Sequence, residues 1–146
     1  MRTFISKMTL VVTGLGLSVG ISSYTKPGGD VFEVYIGKEM LIQQALHNDH
    51  AVKQITLRAD QKDEKISVKF YHCGKSGTQR TITLRDQNDH VLKTLNFSEP
   101  KSSNSVMSFP VSEIAQFQSD QNASVRLYYS SAELPNGKWL VSVARK

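Results

Sequence analysis

One cysteine, four histidines and one glycine-bearing loop with a basic rim are the residues of this chain from which chemistry could be built. Cys73 follows His72, with Lys69, Lys75 and Arg80 close in sequence. Positive neighbours lower a thiol pKa and raise the thiolate fraction that a nucleophile or redox centre needs. A catalytic cysteine also needs a histidine beside it, and successive residues of a strand point to opposite faces. His72 is thus poorly placed to act on Cys73, and no spacing brings His47, His50 or His90 to it. The plainer expectation for Cys73 is a small apolar side chain buried at a strand end.

The loop Gly74-Lys75-Ser76-Gly77-Thr78-Gln79-Arg80 invites comparison with a phosphate-binding loop. That pattern needs a glycine five positions before the Gly-Lys pair and a helix after it. Here the position is Lys69 and a strand follows, so the pattern fails. Gly74, Lys75, Ser76, Gly77 and Arg80 can still offer backbone N–H groups and two cations to an anionic ligand. His47 and His50 flank Asp49, but a lone H-x-x-H in a turn falls short of the three or four ligands a zinc site wants. The acidic runs Asp60 to Glu64 and Asp86 to Asp89 lack the order of a calcium loop and read as charged turns. No metal or cofactor is expected. Among the aromatic residues, Tyr129 and Trp139 fall in phase with apolar neighbours and are expected to pack inside. Tyr35, Tyr71 and Tyr128 fall out of phase and are the surface candidates for stacking on sugars or peptides.

The elements that must position these groups are short alternating strands. Phe32, Val34 and Ile36 share one face of Val31–Ile36, and Gly37-Lys38 closes a tight hairpin onto Met40–Leu46. In that second strand both phases carry apolar groups, so the buried face stays open. Ile55, Leu57 and Ala59 alternate along Lys53–Ala59. Ile66, Val68, Phe70 and His72 then share one side of a strand that runs from Lys65 into the basic loop. Ile82 and Leu84 alternate within Arg80–Arg85, and Val91, Leu95 and Phe97 lie in phase with Leu92 out of phase. Ser105–Phe109 is a short strand. Pro110 to Gln118 is the helical candidate, with Val111, Ile114 and Phe117 recurring every third residue and Pro110 suited to a first helical position. Val125, Leu127 and Tyr129 face Trp139, Val141 and Val143 across the turn Leu134-Pro135-Asn136-Gly137. The sum is a mostly-β chain, an antiparallel β-sandwich of about eight or nine short strands with one short helix.

The 146 residues carry 18 basic and 13 acidic side chains, a formal charge of +5. Arg2 and Lys7 precede an uncharged run from Met8 to Thr25, near whose end the small residues Gly20, Ser22 and Ser23 stand. That order is a secretory signal peptide over residues 1–25, cleaved between Gly20 and Tyr24. Three glycines and scattered Ser and Thr make the run a poor membrane anchor, which needs about 20 strongly apolar residues. A single domain is expected over residues 26–146, with no stable membrane span after cleavage. Without Arg2 and Lys7 the count is 16 basic against 13 acidic, or +3. The charges alternate rather than cluster, which argues against a nucleic-acid footprint. A single cysteine excludes an intramolecular disulfide.

Three runs carry a resemblance: Lys26-Pro27-Gly28-Gly29-Asp30, His72-Cys73-Gly74 and Tyr128-Tyr129-Ser130. In these the chain resembles small exported proteins of Bacteroidota-type bacteria that lack an assigned function. The resemblance implies an exported, periplasmic or extracellular β-rich domain and no particular activity. The expected function is a non-catalytic binding or interaction module for a protein, peptide or glycan of the cell envelope. The loop at 74–80, with Tyr71 and Tyr128, is its expected surface. The alternatives are a thiol-dependent enzyme or redox protein centred on Cys73, and an envelope structural subunit joined through a sheet edge.

Overall fold

The computed structural model describes residues 29–46 and 51–146. The signal segment and the His47–His50 cluster lie outside the described residues. Ten strands form two packed sheets, with one short helix and a 3-10 turn. In chain order the strands are β1 (Val31–Ile36), β2 (Glu39–Ala45), β3 (Lys53–Leu57), β4 (Lys65–His72), β5 (Lys75–Ser76), β6 (Thr81–Arg85) and β7 (Val91–Asn96). They continue with β8 (Met107–Pro110), β9 (Val125–Ser130) and β10 (Lys138–Arg145), and α1 (Ser112–Ala115) follows β8.

The first sheet runs β2-β1-β4, and β4 pairs on its other side with β8 along its first half and β5 at its end. The second runs β3-β10-β9-β6-β7. Phe32, Val34, Ile66, Val68 and Phe70 of the first sheet meet Ile82, Leu84, Val125, Leu127, Tyr129 and Val143 of the second. Strict alternation puts these side chains on the inner faces, and their burial is the main driving force for closing the sandwich.

Three β-bulges decide which residues face out. Val34 pairs with Ile42 while Tyr35 pairs with Met40, so Leu41 is the extra residue in β2. Leu92 plays the same part in β7, where Leu84 pairs with Lys93 and Arg85 with Val91. Leu140 is the third, between Trp139 opposite Tyr128 and Val141 opposite Leu127. A bulge lets two successive residues lean one way before alternation resumes. It buries Leu140 beside Val141 and leaves Met40 and Val91 exposed.

Four expectations are corrected. The β3–β10 pair is parallel, so the sandwich is not wholly antiparallel. The helix is one turn, Ser112–Ala115, and Pro110 ends strand β8 instead of opening the helix. Val111 and Ile114 are buried as their spacing suggested, but burial at that spacing needs only a single turn. Trp139 is not an inward residue, because the alternation that placed it inside ignored the bulge at Leu140. Ala59 leaves the strand and opens the 3-10 turn Ala59–Gln61.

Candidate functional site

The sequence put its chemistry in the hairpin after β4, and there the chain makes a two-residue turn. His72 pairs with Lys75 and Tyr71 with Ser76, leaving Cys73 and Gly74 at the tip. Both have positive φ, 51° and 87°, as a type I′ hairpin turn requires. Glycine does this without strain, whereas a cysteine pays a modest steric penalty. Cys73 is exposed at the tip, which corrects the expectation of a buried small side chain.

His72 turns the other way, into the gap between the sheets. Its Nδ1 lies 3.2 Å from Asp30 Oδ2, and its Nε2 lies 3.0 Å from the Tyr129 hydroxyl and 3.1 Å from Ser131 Oγ. In the tautomer with its proton on Nδ1, the ring donates to Asp30, and the single lone pair on Nε2 accepts from one of the two hydroxyls beside it. Tyr129 is fully buried and stacks on Phe70 at 4.0 Å, and burial raises its hydroxyl above the ordinary tyrosine value. Gly77 closes the cluster so tightly that a Cβ there would stand 2.5 Å from the Tyr129 hydroxyl and 2.8 Å from His72 Nε2. The contacts hold the β4 end, the segment before β1 and the β9 end together.

Asp30, His72 and Ser131 thus stand in the order of a nucleophile triad, which the sequence reading did not find. Acyl transfer also needs an accessible hydroxyl and free N–H donors for the oxyanion. Ser131 is 4% exposed and already accepts the Leu134 N–H at 3.2 Å. The N–H groups of Ser131 and Ala132 are bonded to Leu134 and Thr78 carbonyls. Glu133 also sits against Gly77, where its charge would oppose an oxyanion. The arrangement is a closed structural clasp.

The rest of the basic loop is consumed in the same way. Glu133 accepts the Thr78 N–H with both carboxylate oxygens, at 2.9 and 3.1 Å, and also the Thr78 hydroxyl. The Thr78 N–H, before other contacts, holds the Glu133 carboxyl down to about 2. Gln79 N–H goes to Glu99 and the Ser76 hydroxyl to the Ser103 carbonyl. Arg80 is 4% exposed and donates to the carbonyls of Ser98 and Ser105, at 2.9 and 3.0 Å. As an anion ligand Arg80 is therefore corrected to a structural cation, and Gly77 to a buried spacer. Only Gly74 and Lys75 remain exposed from the proposed rim.

The tyrosines expected to share a surface lie on opposite sides. Tyr35 and Tyr71 are on the outer face of the first sheet, where Lys69 lies over the Tyr35 ring and near Glu33. Tyr128 is on the outer face of the second sheet, and there the bulge at Leu140 brings Trp139 beside it. The two rings stack nearly parallel, 6.1 Å between centroids. Arg85 lies over Tyr128 at 4.3 Å and Arg126 over Trp139 at 4.4 Å. Each arginine reaches diagonally across the strands, as long side chains on a sheet can. Asp89, at the head of the β6–β7 turn, accepts from Arg126 at 2.9 Å and from the Tyr128 hydroxyl at 3.0 Å. The hydroxyl first and the guanidinium second lower the Asp89 carboxyl pKa. Val91, 59% exposed, pairs with Arg85 on the same face.

Asp86 uses its carboxylate to accept the N–H groups of Asn88 and His90, so this acidic run builds its own turn. Among the described residues no group of three metal-ligating side chains converges, and no helix is long and apolar enough to cross a membrane. No family model matches the chain, and no curated protein matches it significantly. Arg85, Arg126 and Trp139 make up this outer cluster with Tyr128; the sequence reading singled out neither arginine and placed Trp139 inside. The signal for the two arginines was present, since both lie out of phase with apolar neighbours and in phase with Thr83 and Tyr128.

Proposed function

We propose that the chain is an exported, non-catalytic binding module whose contact surface is the outer face of the second sheet. The observation that carries this reading is the stacked Tyr128–Trp139 pair with Arg85 and Arg126 laid over its rings. Trp, Tyr and Arg are the residue types that dominate binding hot spots, bringing large contact area and directed hydrogen bonds. A sheet surface needs only polar, β-compatible side chains to stay soluble, and Thr81, Thr83 and Ser142 on this face are of that kind. The export pattern of residues 1–25 and the resemblance to exported proteins favour a partner in the cell envelope, a protein, peptide or glycan.

The test is a binding screen against envelope proteins, peptides and glycans, repeated with the double variant Y128A/W139A and with K75A. Loss of binding in the double variant and retention in K75A is the expected result. The reverse pattern would move the contact surface to the 74–80 loop and end this reading. A second reading, a thiol-dependent protein, is favoured by the exposure of Cys73 at a turn tip. Thiol reactivity measured across pH decides it, since an ordinary profile centred near about 8.5 leaves no activated thiolate.

A further inference from the structure

We infer that this face receives a carboxylate-bearing polypeptide, with Arg85 as its anion-binding group. The inference rests on the reading of the face as a contact surface and names what it takes. Arg85 Cζ stands 4.3 Å from the centre of the Tyr128 ring, so the guanidinium is held over the π face, and its terminal Nη groups make no hydrogen bond among the described residues. That leaves a pre-oriented fork suited to a carboxylate. The two arginines differ in what they have left to give. Arg126 is engaged with Asp89. Arg85 makes no ion pair among the described residues, and its shielded Nε finds no acceptor. Two guanidinium groups against one carboxylate leave this part of the face positive, and its other outward side chains on β6 and β9 (Thr81, Thr83, Ser130) are uncharged.

The chemistry separates a polypeptide from other anions. A sugar ring needs an open aromatic face to stack on, and a guanidinium already lies over a face of each ring here. A polynucleotide needs a track of cations along its backbone, and the face offers a single unpaired one. An acidic side chain flanked by apolar ones fits: carboxylate on Arg85, with aliphatic groups against Val91 and the edges of Tyr128 and Trp139.

Trp139 is the chain's one tryptophan, so its fluorescence reports this face directly. The full chain is titrated at low ionic strength with hexaglutamate, hexaglutamine, hexalysine and oligogalacturonate. The expected result is a saturable change with hexaglutamate, weaker with oligogalacturonate and absent with hexalysine and hexaglutamine. Arg85→Gln then weakens hexaglutamate binding about tenfold or more, and Arg85→Lys, which keeps the charge but not the fork, gives an intermediate loss. Circular dichroism of both variants checks that they fold. If Arg85→Gln does not fold, Arg85→Lys alone carries the comparison. Affinity unchanged by substitution at Arg85, tighter binding of oligogalacturonate, or no response to hexaglutamate overturns the inference. Calorimetry separates its failure from that of the underlying reading. Hexaglutamine binding that Trp139→Ala abolishes keeps the contact surface and removes the acidic ligand.

Discussion

Substituting Gly77 by alanine is the sharpest perturbation the clasp offers. The added Cβ would lie 2.5 Å from the Tyr129 hydroxyl, 2.8 Å from His72 Nε2 and 2.9 Å from Glu133 Oε2. Non-bonded carbon contacts are comfortable at about 3.5–4.0 Å, so the neighbours must retreat by roughly 1 Å. Glu133 can swing into solvent, but Tyr129 is held by its stack on Phe70, and His72 by Asp30 and two hydroxyls. Overpacking costs about 1–3 kcal/mol. Breaking the part-buried hydrogen bonds at His72 costs about 1–3 kcal/mol more. Because some relaxation is shared between the two effects, we expect a net loss of roughly 2–4 kcal/mol. For a chain of this size that lowers Tm by about 10 °C. Gly74→Ala is the internal control. Its site has positive φ but open space around it, so it should lose only about 1 kcal/mol of backbone preference. Urea unfolding of both variants reads the difference. A Gly77→Ala protein as stable as wild type, or no less stable than Gly74→Ala, refutes the claim that Gly77 is a spacer for the clasp.

Arg80→Met should destabilise by about 2–4 kcal/mol, because the carbonyls of Ser98 and Ser105 lose their buried donors, while Lys75→Ala in the same loop changes stability little; denaturant midpoints compare the two. Glu133 has a depressed carboxyl, about 2 in the folded chain against an ordinary 4.5. Its stabilising effect is therefore complete above pH of about 4.5 and is lost as pH falls towards 2. Its exposure to solvent limits the effect to about 1 kcal/mol. Glu133→Gln should flatten that part of the stability–pH curve, and a curve of unchanged shape would contradict the Thr78 contact. Cys73 in the native protein should react with a maleimide at a rate close to that in the urea-unfolded chain, and strong protection on folding would place the thiol inside after all.

The strands were legible because alternation is a local property: Phe32-Val34-Ile36 and Ile82-Leu84 state their inner face in three to five residues. What misled was any place where one face gained a residue. Leu41, Leu92 and Leu140 each break the phase, and each marks a bulge that only the partner strand reveals. Trp139 was misplaced for that reason, and with it the aromatic surface. The parallel β3–β10 pair was also hidden, since no local pattern records which distant strand becomes a neighbour. The clasp was half visible. His72 was noticed, and Asp30 and Tyr129 both fall in runs that carry the resemblance. Their meeting depends on the sandwich closing, which sequence spacing cannot express. The basic loop was legible as basic but not as occupied, because its acceptors Glu99 and Glu133 come from segments 20 and 55 residues away from the groups they bind.

The parallel pairing of β3 with β10 also sets an order of events during synthesis. β10 is the strand between β3 and β9 in the second sheet, and the Lys146 N–H still bonds back to the Leu57 carbonyl. Ile55 and Leu57 leave the ribosome 88 residues before their partners Val143 and Arg145, their route into the sheet. Until then β3 has no edge to join, and its apolar side chains face water or whatever binds nascent chains. Such long-range pairing makes for slow folding. The half-made chain is thus held open by its own topology, and a truncation before Lys138 should leave a soluble, unfolded polypeptide or an aggregate rather than a smaller sandwich.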